Sequence, residues 1–221
     1  MAEFLLIDKP EDWTSHDVVA YLRRVLKIKK IGHAGTLDPF ATGLLIVGVA
    51  REATKRLDEF KSLPKTYIAT LKFGFTSNTF DKTGTIEKYA SEGKLDLSRL
   101  QTVLEQCIGR QLQLPPMFSA KKVKGKKLYE LARKGIEVER EPNEIEIYDL
   151  LLLSTTEDTA TIEVSCSVGT YIRTLCHDIG EKLGIGAYCE ELRRTKIGEY
   201  KVEQATPPQQ ISSENPPFFL L

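Results

Sequence analysis

The sequence has few features of a membrane or secreted protein. Its longest apolar run, residues 44–50, is far shorter than the roughly 20 residues that a membrane-spanning helix needs. The four cysteines form no CxxC pair and follow no metal-ligand spacing, so we expect reduced and mostly buried thiols. The N-terminal residues lack the basic leader and small-residue cleavage pattern of a secretory signal. We therefore expect a cytoplasmic protein with no membrane partner.

A net charge is also absent, because 31 Lys and Arg residues balance 31 Asp and Glu residues. This balance hides a strong segregation along the chain. Residues 119–134 contain seven basic side chains and one acid, and residues 21–33 contain five basic side chains and no acid. Residues 136–163 instead contain nine acids and one arginine. The basic segments are typical of phosphate contacts to a nucleic acid, but charge alone leaves a simple solvated surface open.

Strand and helix patterns alternate without an internal repeat or a steady βαβ rhythm, and a chain of 221 residues has room for one large or two small domains. The fold class predicted is α+β, with a mixed, mainly antiparallel sheet flanked by helices and active-site loops. Apolar runs and alternation predict strands at residues 4–7, 44–49, 65–73 and 160–168.

Capping residues and helical spacing predict the helices. Thr14 or Ser15 caps the first, Asp96 caps a second that Gly109 ends, and residues 169–183 form a third. A further helical stretch is expected after Gly186. The Pro-rich residues 207–221 are expected to form a loose tail whose apolar end docks.

The most informative segment is GHAGTLDPFATG at residues 32–43, which surrounds Asp38 with glycines. One interpretation is purely structural: Asp38 is a helix N-cap, Pro39 is the first helical residue, and Gly43 ends a short turn. In the other, the glycines let the loop approach a ligand while Asp38 acts as a nucleophile or base. The two interpretations are compatible, because a capped main chain also holds a reactive carboxylate in place.

This segment, extended to GHAGTLDPFATGLL, resembles the signature of the bacterial TruB-type tRNA pseudouridine synthases. The similarity continues in order over residues 4–200. The other matching segments are LLIDKPEDWTSHDVV at 5–19, KTYIATLKFG at 65–74, PPMFSAKKVKGKKLYELARKG at 115–135, GTYIRTL at 169–175 and GAYCEELRR at 186–194.

The resemblance implies an isomerase that converts uridine 55 in the T-loop of tRNA to pseudouridine without a cofactor. Asp38 would be the catalytic carboxylate, either attacking the sugar or base or removing a sugar proton. No metal is implied, and neither the cysteines nor the three histidines have the spacing of a metal site.

The target base is stacked in folded RNA, so such an enzyme must extrude it and replace its contacts. By resemblance, Tyr67 would stack on the extruded uracil, and Tyr171 and Leu192 would line the same pocket. Taken without the family, their patterns favour residues of a sheet and helix core instead.

The resemblance also gives roles to polar residues near Asp38. Arg173 would pair with Asp38 and keep it ionised, and His33 would pack against the RNA. An exposed surface arginine and a simple loop histidine are the alternatives. Asp81 matches a position that helps to organise the active site, although turn chemistry explains it equally well.

Five lysines would contact the tRNA backbone, where phosphate contacts position the RNA without specifying its sequence. They are Lys121, Lys122, Lys124, Lys126 and Lys127.

The expected organisation is a catalytic domain at residues 1–206 and a short tail at 207–221, which indicates either a short-form member without the C-terminal PUA module or a truncated chain. We expect a monomer that binds the tRNA T-stem-loop. Two other functions remain open at this point: a non-catalytic tRNA-binding or tRNA-folding protein of the same fold, and a carboxylate hydrolase in which Asp81 opposes Asp38.

Overall fold

The computed structural model describes residues 2–91, 93–119, 122–123, 126–128, 132, 135–136 and 138–221. The chain forms two compact units. Unit 1 comprises Met1–Ile68 and Leu192–Leu221, and unit 2 comprises Ala69–Glu191. The chain crosses from one unit to the other inside two strands.

Unit 1 contains a mainly antiparallel sheet and short helices. Its elements are β1 (Glu3–Lys9), α1 (Ser15–Leu26), β2 (Ile31–Ala34), β3 (Thr42–Val49), α2 (Ala50–Lys55), α3 (Leu57–Lys61), the start of β4 (Lys65–Phe73), the end of β12 (Ala187–Ile197), β13 (Tyr200–Lys201) and β14 (Phe219–Leu220). The strand order is β14–β1–β3–β12, with β2 also on β3 and β13 on β12. The pairing of β3 with β12 is parallel, whereas β1, β2, β13 and β14 pair antiparallel.

Helix α1 begins where its sequence predicts. The Thr14 hydroxyl accepts a hydrogen bond from the Asp17 amide at 3.0 Å, and the Asp17 carboxylate accepts one from the Thr14 amide at 2.8 Å. This reciprocal capping box satisfies two amides that the first helical turn leaves without partners. Val18, Val19 and Leu22 follow at helical spacing and are buried against the apolar residues of β1 and β3. The predicted start and apolar face of this helix are confirmed.

Unit 2 contains the remaining elements. They are β5 (Phe75–Ser77), β6 (Ile86–Lys88), α4 (Leu97–Gln106), β7 (Gly109–Gln113), β8 (Lys122–Val123), β9 (Lys126–Lys127), β10 (Asn143–Thr155), β11 (Thr159–Cys166) and α5 (Ile172–Leu183). The strand order is β4–β11–β10–β7, and both neighbours of β10 are antiparallel to it. The α+β class and the mainly antiparallel sheet are as predicted.

Helix α4 is also capped as predicted, since the Asp96 carboxylate accepts hydrogen bonds from the Ser98 and Arg99 amides. Its buried residues include Leu100 and Leu104, and the helix packs against α5. Leu97 and Ile108 continue the helical spacing of these apolar residues, which predicts that they face inward, but both are exposed. They lie at the helix start and beyond its end, where the apolar stripe no longer faces the core.

The helical stretch predicted after Gly186 is wrong, because residues 187–197 form strand β12. Gly186 has a φ of +66°, which ends the preceding turn. The strand has β3 on one side and β4 on the other, so nonlocal pairing overrides the helix propensity of its Glu, Leu and Arg residues.

The expected docking of the last residues is confirmed. Strand β14 pairs with β1, and the Phe219 ring stacks on Phe4 with centroids 5.4 Å apart. Ile211 is buried as well. Among the described residues, no helix is both long and apolar enough to cross a lipid bilayer.

Candidate active site

Asp38 lies in the loop of residues 35–41 that joins β2 to β3. The Ala41 amide donates a hydrogen bond to the Asp38 carbonyl at 3.1 Å, which closes a single turn with Pro39 in its second position. Strand β3 begins directly afterwards, so the helix start considered for Asp38 is wrong. The Asp38 residue is half-buried in this turn.

Three buried polar side chains hold the main chain of this loop. Ser15 Oγ accepts from the Leu37 amide at 2.9 Å, and Lys9 Nζ donates to the Pro39 carbonyl at 3.2 Å. Arg194 donates from Nη2 to the Gly35 carbonyl at 3.1 Å. Each of the three residues is at most 2% exposed. Sequence reasoning missed these roles, although each residue lies in a segment that carried the family resemblance.

Lys9 is a buried cation next to the catalytic candidate. Its ammonium also donates to the carbonyls of Pro10 at 2.8 Å and Trp13 at 2.6 Å. Burial lowers the pKa of Lys9 from 10.5 to about 8, and the negative charges of Asp38 and Asp12 partly oppose this shift. The Lys9 charge therefore acts on Asp38, and a cation at short range favours an ionised carboxylate.

We expect Lys9 to give the protein a specific pH dependence of stability. The folded state releases the Lys9 proton near pH 8 and the unfolded chain near pH 10.5, so the unfolded chain binds more protons between these values. The Lys9 contribution to the free energy of unfolding therefore rises with pH across this window. The free energy of unfolding of wild type minus that of Lys9→Met, measured in urea, should increase from pH 8 to 10.5. Parallel pH curves for the two proteins would contradict this, and Lys55→Met, at an exposed lysine, is the matched control.

Gly43 marks a close approach between two strands. Its φ is +103°, and a Cβ added to it would lie 2.3 Å from the Arg194 carbonyl oxygen and 2.8 Å from the Arg194 amide nitrogen. Since both atoms belong to the backbone of the paired strand β12, no side-chain movement can relieve the clash.

Gly43→Ala should therefore lower the free energy of unfolding by about 2–3 kcal/mol, through backbone strain and overpacking. Urea denaturation measures this, with Gly74→Ala as the control. Gly74 has a φ of +84° but nothing within 4 Å of its added Cβ, so it reports strain without the clash. Equal losses for the two variants would be evidence against the close approach.

The remaining predicted residues of unit 1 lie on its strands. His33 is on β2, where burial and the positive charge of Arg194 lower its pKa and keep the ring neutral at pH 7. Tyr67 is half-buried on β4, whereas Ala69 and Leu71, which follow on the same face, are buried. Leu192 is a buried residue of β12. The strand predicted at residues 65–73 is confirmed as β4, and Tyr67 is the most accessible residue on the face that it shares with Ala69 and Leu71.

In unit 2, Arg173 is buried at the start of α5. Its Nη1 donates to Asp81 Oδ2 at 3.0 Å and to the Thr79 carbonyl at 2.8 Å, and its Nη2 donates to the Phe118 carbonyl at 2.7 Å. Both side chains of the Arg173–Asp81 pair are only 4% exposed. The alternative of an exposed surface arginine is therefore wrong. The pairing of Arg173 with Asp38, which lies in the other unit, stays a prediction.

Asp81 has the turn role and also binds Arg173, whereas its part in organising the active site stays a prediction. Its Oδ1 accepts from the Thr83 amide at 2.9 Å and from the Thr79 hydroxyl at 2.8 Å, while Oδ2 binds Arg173. With both oxygens engaged and the residue 3% exposed, Asp81 is poorly suited to act as the second acid of a hydrolase.

Tyr171 is the N-cap residue of α5, and its peptide is held by Gln113. Its amide donates to Gln113 Oε1 at 2.7 Å, and Gln113 Nε2 donates to the Tyr171 carbonyl at 3.0 Å. Gln113 is buried at the end of β7 and was not found from the sequence.

Of the five predicted RNA-backbone lysines, Lys121 and Lys124 lie outside the described residues. For Lys122, Lys126 and Lys127 the structure describes only the main chain, in which β8 and β9 pair antiparallel. Their contacts stay predictions.

Comparison with known proteins identifies the family. Residues 23–172 match the model of the TruB family pseudouridylate synthase N-terminal domain, and residues 173–214 match that of the tRNA pseudouridylate synthase B C-terminal domain. The tRNA pseudouridine synthase B of Aquifex aeolicus (strain VF5) is 49% identical, over 98% of this chain and 76% of its own length. That of Parabacteroides distasonis is 47% identical, over 95% of this chain and 91% of its own length.

Solved structures agree. A Cbf5–Nop10–Gar1 complex matches with a TM-score of 0.71 and 29% identity over 90% of this chain. An H/ACA RNP bound to a substrate RNA containing 2′-deoxyuridine matches with a TM-score of 0.70 and 26% identity over 95% of it. This chain spans about half the length of those solved chains. From its two family-model matches and its curated relatives, the chain belongs to the TruB family of pseudouridylate synthases.

Proposed function

We propose that this protein converts uridine 55 in the T-loop of tRNA to pseudouridine, with Asp38 as the catalytic carboxylate. Membership of the family, at 43–49% identity to curated tRNA pseudouridine synthases, makes it an isomerase that forms pseudouridine in tRNA. The observation that supports the assignment to Asp38 is its loop, in which a half-buried carboxylate sits on a main chain held by three buried side chains.

The reaction breaks the C–N glycosidic bond, turns the uracil and joins its C5 to the sugar. Asp38 takes part by attack on the sugar or base, or by removal of a sugar proton. Every route needs an ionised carboxylate at a fixed position. The neighbouring Lys9 charge favours the ionised form, and the fixed turn reduces the ordering cost of the transition state.

The other roles in this proposal concern the flipped base and the RNA. Tyr67 stacks on the extruded uracil, which replaces part of the stacking lost in the RNA. Tyr171 and Leu192 line the pocket, Arg173 pairs with Asp38, and the neutral His33 packs against the RNA. The lysines of residues 121–127 contact phosphates. The protein acts as a monomer in the cytoplasm.

A tritium-release assay tests this function. Pseudouridine formation replaces the hydrogen on uracil C5, so a tRNA transcript made with 5-tritiated uridine should release one equivalent of tritium. A matched transcript with cytidine at position 55 should release none, although it binds. Equal release from both transcripts would show that the target uridine is not at position 55. Binding of tRNA without any tritium release would favour a non-catalytic tRNA-binding protein.

A further inference from the structure

Arg194 of β12 lies buried beneath the loop that carries Asp38. The residue is 1% exposed, and its guanidinium bonds to one carbonyl at the start of the loop and to another in β3, just past its end. Nη2 donates to the Gly35 carbonyl at 3.1 Å, before Asp38, and Nε donates to the Leu44 carbonyl at 2.8 Å, after it. We propose that Arg194 is a positioning residue, which clamps the start of the loop to the strand that follows it and so fixes Asp38 for pseudouridine formation. This inference rests on the proposed function.

Gly35, which begins the loop, and Gly43, the second residue of β3, both pack against Arg194. A Cβ on Gly35 would lie 3.6 Å from Arg194 Nη1, and one on Gly43 would lie 2.3 Å from the Arg194 carbonyl. Arg194 therefore contacts the first glycine through its side chain and the second through its backbone. The positive φ values of both glycines, +83° and +103°, allow the chain to turn this close to the strand.

Burying a guanidinium costs more free energy than filling the same space with an apolar side chain. Removing an arginine from water costs several kcal/mol, and an apolar side chain of similar volume fills a core without that cost. What arginine adds is a rigid, planar set of donors that can bond two carbonyls at once. In Arg194 these donors reach across the chain to residues 150 and 159 positions earlier, on either side of Asp38.

The consequence for catalysis is geometric. The loop has no helix or strand between residues 35 and 41, so its position depends on these side-chain bonds. A displacement of about 1 Å at a reacting group costs about 100-fold in rate. Loss of the clamp should therefore lower kcat, while tRNA binding through other surfaces is kept.

The test combines kinetics with an activity-independent measurement. Arg194→Met should lower kcat about 100-fold and leave KM for tRNA within about threefold. Arg194→Lys keeps a cation that can reach one carbonyl but not both, so it should lose only about tenfold. Arg193→Met is the matched control. Arg193 is the adjacent residue on β12, bonds to Asp8 and is 40% exposed, and its kcat should stay within about threefold of wild type.

Hydrogen exchange reports the loop directly. In Arg194→Met two amides of the loop should exchange at least about tenfold faster: that of Leu37, bonded to Ser15 Oγ, and that of Ala41, bonded to the Asp38 carbonyl. Amides of α1 in the same unit should change by less than threefold. Uniformly faster exchange would reduce Arg194 to a structural residue, and faster loop exchange with unchanged kcat would overturn the positioning role. If Arg194→Met does not fold, Arg194→Lys carries both measurements. If Arg194→Met loosens only the loop but the wild-type protein releases no tritium, the proposed function is contradicted while the clamp by Arg194 is supported.

Discussion

Asp38→Asn is expected to abolish pseudouridine formation, with a fall in kcat of at least about 10⁴-fold. The asparagine side chain has nearly the same size but can neither attack as a carboxylate nor accept a sugar proton. The contacts that hold the loop use the main chain of Gly35, Leu37, Pro39 and Leu44, so they survive the change. The variant should therefore fold normally and bind tRNA with nearly unchanged affinity.

Single-turnover tritium release and a filter-binding titration on the same preparation measure the two properties separately. Asp38→Ala repeats the test without an amide that could hydrolyse back to aspartate. Asp12→Asn is the matched control, because Asp12 is an exposed carboxylate whose charge also acts on Lys9. Its φ of +62° is one that asparagine adopts readily. If Asp38→Asn kept more than a few percent of wild-type activity, Asp38 would not be the catalytic carboxylate.

The features that the sequence predicted well are local ones. Thr14 and Asp96 cap their helices through bonds to amides two or three residues away, and α1 buries the apolar stripe that its spacing gives. The alternation of residues 65–73 likewise produced a strand, with Tyr67 less buried than the positions that follow it. In each case the signal lies in neighbouring residues: a cap bonds to nearby amides, and the spacing of apolar residues marks the face to be buried before its distant partners are known.

The features that it missed depend on distant partners. Residues 187–197 contain good helix formers, and only the neighbouring strands β3 and β4 make them a strand. Lysine and arginine are normally exposed, so nothing in their spacing indicates that Lys9 and Arg194 are buried. Their burial is acceptable because carbonyls far away in sequence accept hydrogen bonds from them: Pro39 from Lys9, and Gly35 and Leu44 from Arg194.

Arg173→Met should lower the free energy of unfolding by about 3–5 kcal/mol, the usual cost of removing one partner of a buried ion pair. The side chains of Arg173 and Asp81 are each 4% exposed, and the Nη1–Oδ2 distance is 3.0 Å. Without the guanidinium, the Asp81 charge stays buried with only the Thr79 and Thr83 donors, and the carbonyls of Thr79 and Phe118 lose a hydrogen bond. The midpoint and slope of urea denaturation measure the loss.

Two further variants separate charge from packing. Arg173→Met combined with Asp81→Asn removes the unpaired buried charge, so it should be more stable than Arg173→Met alone. Arg56→Met is the matched control, because Arg56 pairs with Glu59 on the surface, and its loss should not change the urea midpoint measurably. A loss for Arg173→Met no larger than that of the control would contradict the buried pair. If the double variant regains stability but not tritium release, while Asp81→Asn alone keeps that release, Arg173 has a role in the reaction beyond holding Asp81, as its predicted pairing with Asp38 requires.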